Sequence, residues 1–83
     1  MTTSARGAVA DQVLTALRDA LGDERLDPDD DFFAVGGDSV AAVHALQLIH
    51  QSTGVHLPVA VFFTHPSAGQ LAELVGGASE TAA

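Results

Sequence analysis

The residue best placed to do chemistry is Ser39, which follows Gly36, Gly37 and Asp38 and precedes an apolar, alanine-rich stretch. A serine hydrolase presents its nucleophile in a G-x-S-x-G elbow above a sheet. Here the run is Gly37-Asp38-Ser39-Val40-Ala41, which lacks the second glycine, and the chain is too short for such a sheet. Two readings remain open at the level of the residues. Asp38 and Ser39 are both good helix caps, so Ser39 can be an N-cap that accepts a hydrogen bond from an early backbone N–H. The small residues before it equally leave its hydroxyl open to an enzyme, and a phosphodiester attached there would lie near a positive helix end.

Two other groups of residues invite a metal reading. Asp27, Asp29 and Asp31 alternate along an acidic run, and Asp38 falls where a twelfth-position calcium ligand would lie. That loop pattern requires glycine at its sixth position and glutamate at its twelfth. Phe32 and Asp38 stand there instead, so a solvated acidic loop is expected. The four histidines are His44, His50, His56 and His65. No two are spaced i, i+4, and His44 and His50 on one helix point about 120° apart. Surface or partly packed histidines are expected, with no metal.

These residues must be positioned by a chain of 83 residues, enough for one small domain. It is 47% hydrophobic with four Phe and no Trp or Tyr, so its apolar mass is Ala, Val and Leu, which suits packed helices. The absence of cysteine excludes disulfides, thiolate nucleophiles and cysteine zinc sites. A net charge of −8 with Arg6, Arg18 and Arg25 as the only Lys or Arg excludes a phosphate-backbone footprint, and hence nucleic acid. The acidity favours basic protein surfaces as partners. No run of about 18 apolar residues and no signal-peptide layout is present, so a cytoplasmic protein with no membrane partner is expected.

The periodicity predicts an all-α fold, a small four-helix bundle of three main helices plus one short helix. Val9, Val13, Leu14, Leu17 and Leu21 predict a first helix over 8–21, with Asp11 in its first turn and Gly22 as a left-handed stop. Residues 22–38 form a long connection pinned by Leu26, Phe32, Phe33 and Val35; connections longer than about 12 residues are often functional. The second helix runs from Asp38 or Ser39 to Thr53 and ends at Gly54. At about 100° per residue, Ala42, Val43, Leu46, Ile49 and Thr53 share its core side. Val40, His44, Gln47 and Gln51 share another side, and Leu48 points nearly opposite the core. Pro58 opens a short helix through Phe63, and Pro66 and Ser67 start a last helix with Leu71, Leu74 and Val75 inside. Flexible tails are expected over 1–7 and 77–83, flanking a domain over 8–76.

The segment Asp31-Phe32-Phe33-Ala34-Val35-Gly36-Gly37-Asp38-Ser39-Val40 closely resembles the D-F-F-x-L-G-G-D-S-L signature of peptidyl carrier (thiolation) domains of nonribosomal peptide synthetases, within the phosphopantetheine-binding acyl carrier superfamily. Gly54-Val55 resembles that family's helix II exit, Phe62-Phe63 with His65-Pro66-Ser67 its F-x-x-P-T, and Leu71-Ala72 its final helix. The resemblance covers roughly residues 9–75. Val35 and Val40 stand where leucine is usual, Ser67 where threonine is, and Thr53 where a larger apolar residue is common. Polyketide and fatty-acid carriers typically have acidic residues early on helix II; Ala41 and His44 stand there instead.

The resemblance implies an acyl-carrier-like bundle and a carrier that is not an enzyme. A covalent 4′-phosphopantetheine arm, taken from coenzyme A, would be attached to Ser39, flanked by Gly37 and Asp38. Amino or aryl acyl groups would then be held as thioesters in nonribosomal peptide or hybrid biosynthesis. A polyketide-type acyl carrier and a non-carrier helical interaction module are the alternatives. Implied partners of the monomer are a phosphopantetheinyl transferase, an adenylation enzyme, and condensation, tailoring or thioesterase enzymes. The expected docking surface around Ser39 comprises Val40, His44, Leu48 and Phe62.

Overall fold

The computed structural model describes the backbone of residues 5–82 and the side chains of 8–77. It is all-helical, with α1 Ala5–Leu21, α2 Ser39–Thr53, α3 Val61–Thr64 and α4 Ala68–Ala82. α1 packs against both α2 and α4. The common core comprises Val13, Ala16 and Leu17 of α1, Ala42, Ala45, Leu46 and Ile49 of α2, Phe62 of α3, and Ala68, Leu71 and Val75 of α4, with Leu26 and Phe32 from the connection. No helix among the described residues is long and apolar enough to cross a membrane.

The helix ends follow from local chemistry. Beyond α1, Gly22 takes φ 68°, which costs a glycine nothing. Its N–H donates to the Asp19 carbonyl (3.3 Å) and the Asp23 N–H to the Arg18 carbonyl (3.1 Å), the paired bonds of a Schellman stop. α2 ends similarly at Gly54 (φ 76°), whose N–H donates to the His50 carbonyl. α4 begins at Ser67, whose hydroxyl accepts the Gln70 N–H at 3.3 Å and so caps the helix as its sequence position suggests. Thr53 is no hole in the core. Its hydroxyl donates to the Ile49 carbonyl (2.8 Å) and accepts the Val55 N–H (3.1 Å), tying the helix end to the following segment.

Several expectations are corrected. α1 starts three residues before position 8, so Asp11 lies in its second turn and no acidic residue occupies the first. α4 runs through Gly76 and Gly77 to Ala82, so the backbone of 77–82, expected as a tail, is helical. Glycine in a helix interior costs only about 1 kcal/mol, which tertiary contact outweighs; Gly76 is buried. Residues 1–4 and 83 lie outside the described residues. The short helix is Val61–Thr64, reached from Pro58 through a tight turn in which the Val61 N–H donates to the Pro58 carbonyl. On α2 the core stripe includes Ala45, whereas Val43 is 45% exposed. Leu48 is half-buried against the core and does not face away from it.

Candidate functional site

The connection between α1 and α2 has no regular structure, yet its backbone groups are extensively bonded. The Asp23 carboxylate accepts the Arg25 N–H (2.9 Å) and the Asp30 carboxylate the Asp27 N–H (3.0 Å). Asp31 accepts from both Phe33 (2.9 Å) and Ala34 (3.0 Å). Three aspartates of the connection thus act as caps on local turns. Arg18 holds the loop from α1, its Nε donating to the Leu26 carbonyl at 2.9 Å. At the other side the Gly69 N–H donates to the Pro28 carbonyl (2.9 Å), and the Phe32 N–H to the Pro66 carbonyl (2.7 Å). The middle of the loop is thus fastened to the start of α4 at two points.

All four phenylalanines form one cluster. Phe32 and Phe62 are fully buried, with ring centroids 4.9 Å apart. Phe33 is half-buried; it meets Phe32 edge-on at 5.5 Å and stacks on Phe63 at 5.3 Å. Phe62 therefore cannot present itself to a partner, contrary to expectation. In a helix of four residues no periodicity distinguishes two adjacent phenylalanines, and contact with Phe32 decides which turns inward. Phe63 is the outward one, 63% exposed.

The two glycines before the serine serve different needs. Gly36 has φ 112°, in a region that only glycine occupies readily. Gly37 is demanded by space. A β-carbon on it would collide with the Phe32 ring and lie 2.6 Å from the Phe32 carbonyl oxygen. That carbonyl also accepts the Gly37 N–H at 2.9 Å. The chain thus reaches Asp38 closely held against the aromatic cluster.

Asp38, not Ser39, is the N-cap of α2. Its backbone is extended and its carboxylate accepts the Ala41 N–H at 2.8 Å. The Asp38 carbonyl takes the Ala42 N–H at 2.9 Å. Ser39 is the first residue of the helix; it is exposed, and its hydroxyl makes no hydrogen bond among the described residues. The Ser39 and Val40 amides have no backbone acceptor, as expected of the first turn. An exposed, uncommitted hydroxyl therefore stands beside two free N–H donors at a positive helix end. That set suits a phosphodiester on the serine oxygen.

Around Ser39, Val40 is 78% exposed and His44 is exposed one turn on. Farther along, the rings of His50 and His56 meet with centroids 3.8 Å apart. The sequence spacing concealed that pair because His56 lies beyond the helix. The signal was Gly54, whose left-handed conformation turns the chain back past the last turn of α2.

The family model described as "Phosphopantetheine attachment site" matches residues 11–75. Bacitracin synthase 1 of Bacillus licheniformis is 36% identical over 70 residues, covering 84% of this chain and 1% of that protein. Surfactin synthase subunit 1 of Bacillus subtilis is 34% identical over 71 residues, covering 86% of this chain and 2% of that protein. A hybrid PKS-NRPS synthetase of Emericella nidulans is 41% identical over 59 residues, covering 71% of this chain and 2% of that protein. The chain thus spans only 1% to 2% of the length of these relatives.

Proposed function

The chain belongs to the phosphopantetheine attachment-site family, and on that premise we propose that Ser39 is the residue that carries the 4′-phosphopantetheine arm of a peptidyl carrier domain. The observation that supports this most is the division of labour at the start of α2. Asp38 caps the helix, so the Ser39 hydroxyl is left exposed and unbonded. In the attachment step the Ser39 oxygen bonds to the phosphorus that bears the pantetheine in coenzyme A. The phosphoanhydride bond breaks, adenosine 3′,5′-bisphosphate leaves, and a base on the transferase takes the serine proton. The Ser39 and Val40 amides, which have no backbone acceptor, would be the donors available to the phosphodiester. When attached, the arm supplies a terminal thiol that holds acyl cargo as a thioester.

The chain itself lowers no chemical barrier in this reading. It positions the cargo and raises its effective concentration at successive active sites. Resemblance to the bacitracin and surfactin synthases supports amino or aryl acyl cargo in nonribosomal peptide synthesis. Similarity to hybrid PKS-NRPS synthetases keeps a polyketide-type carrier as the second reading. The partners proposed are a phosphopantetheinyl transferase, an adenylation enzyme, and condensation, tailoring or thioesterase enzymes, met by a monomer in the cytoplasm. Their docking surface comprises Val40, His44 and, in place of Phe62, Phe63; the half-buried Leu48 contributes at most an edge.

The test is incubation with a promiscuous phosphopantetheinyl transferase and coenzyme A, followed by intact mass measurement. A gain of one phosphopantetheine is expected on the parent protein and none on Ser39→Ala. An unchanged parent mass would overturn the proposal.

A further inference from the structure

We propose that His50 and His56 together bind a divalent transition-metal cation as a two-imidazole site on the surface of the bundle, some distance along α2 from Ser39. His50 belongs to the last turn of α2, and His56 follows the Gly54 reversal. The fold brings their rings to a centroid separation of 3.8 Å with planes inclined by 32°. Both side chains are exposed, so a cation reaches them without being stripped of all its water. Neither ring makes a hydrogen bond with a described residue, which leaves its nitrogens available as ligands. His65 differs, since its Nδ1 is engaged by the Thr64 hydroxyl at 2.8 Å.

The chemistry favours metals that prefer imidazole. Copper, nickel and zinc accept it readily, with copper(II) binding tightest at an unconstrained site. Nitrogens that share one tetrahedral zinc ion, each at about 2.1 Å, stand roughly 3.4 Å apart. In the observed stack the in-plane lone pairs of the two rings do not converge, so binding one ion requires the exposed rings to turn out of the stack by rotation about their side-chain bonds between staggered wells. The pair lines a shallow groove together with Val43, Gln47, Gln51 and Val59. No third His, Cys, Asp or Glu joins to form a three-ligand group among the described residues, so water completes the coordination shell. The net charge of −8 raises the local concentration of any cation.

Zinc chloride titrated into the isotope-labelled protein tests this site through the histidine ring signals. The ring signals of His50 and His56 are expected to move together with one midpoint, while those of His44 and His65 move only at higher zinc. His56→Ala should raise the midpoint at His50 about tenfold or more, because the second ligand then no longer acts at high effective concentration; His50→Ala should do the same at His56. His44→Ala should leave both midpoints in place. Separate midpoints for the two rings, or a His50 midpoint unmoved by His56→Ala, would show stacked but independent histidines and overturn the proposal. Both positions are exposed, so the variants fold, and the outcome is independent of whether Ser39 carries an arm.

Discussion

The Phe32 ring occupies the place where a β-carbon on Gly37 would have to go, and the Phe32 carbonyl receives the Gly37 amide at 2.9 Å. One buried aromatic thereby fixes the backbone two residues before Ser39. Its own amide is held by Pro66 at the start of α4. Gly37→Ala forces the ring or the loop to shift, and overpacking of this kind costs about 1–3 kcal/mol. Urea denaturation should register that loss, and the rate of phosphopantetheine attachment should fall further than Gly36→Ala makes it fall. Gly36 has open space around its missing β-carbon and pays only for its positive φ.

Asp38 and Ser39 differ in what they do for the helix, and two alanine substitutions separate them. Asp38→Ala removes the acceptor of the Ala41 N–H and should lower stability by about 1 kcal/mol. Asp38→Asn keeps an acceptor and should lose much less. Ser39→Ala deletes an exposed hydroxyl with no partner, so its stability should stay within about 0.5 kcal/mol of the parent while attachment is abolished. A Ser39→Ala loss equal to that of Asp38→Ala would return the cap to Ser39.

The contrast between these neighbours marks what could be read from the sequence. Helix stops at Gly22 and Gly54 were legible because a left-handed residue after an apolar stripe has one physical use. Leu26 was legible as an anchor because it is apolar within an acidic loop. The cap was not, since Asp38 and Ser39 are equally capable acceptors and only the backbone at Asp38, extended at φ −132° and ψ −176°, decides between them. The sequence puts Val43 on the core side of α2 and leaves Ala45 out of it because hydrophobicity favours the larger side chain. The buried member is the smaller one. The His50–His56 contact depends on where the chain goes after a helix end, which no periodicity within the helix encodes.

Phe62 and Phe63 give a second adjacent pair with opposite roles. Phe62→Ala empties a fully buried position against Phe32 and should cost about 3–5 kcal/mol. Phe63→Ala removes a 63% exposed ring and its stack on Phe33, worth about 0.5–1.5 kcal/mol. Thermal unfolding should order the variants that way. Loading by an adenylation enzyme should fall for Phe63→Ala measured well below its unfolding temperature; unchanged loading would remove Phe63 from the docking surface.

Val40 offers the cleanest probe of that surface. It is 78% exposed and directly follows Ser39, so little folding energy depends on its side chain. Val40→Asp places a carboxylate in the first turn of α2, where the helix dipole favours negative charge. The substitution should therefore leave helicity by circular dichroism and the urea midpoint essentially unchanged. A partner that approaches this acidic protein over Ser39 would meet a charge in place of an apolar contact, and its loading rate should drop several-fold. The combination of an intact fold with slowed loading separates docking from stability, since a merely structural Val40 would give neither effect. If loading proceeds at the parental rate, the partner must approach from the Phe63 side or over the groove beside Val43.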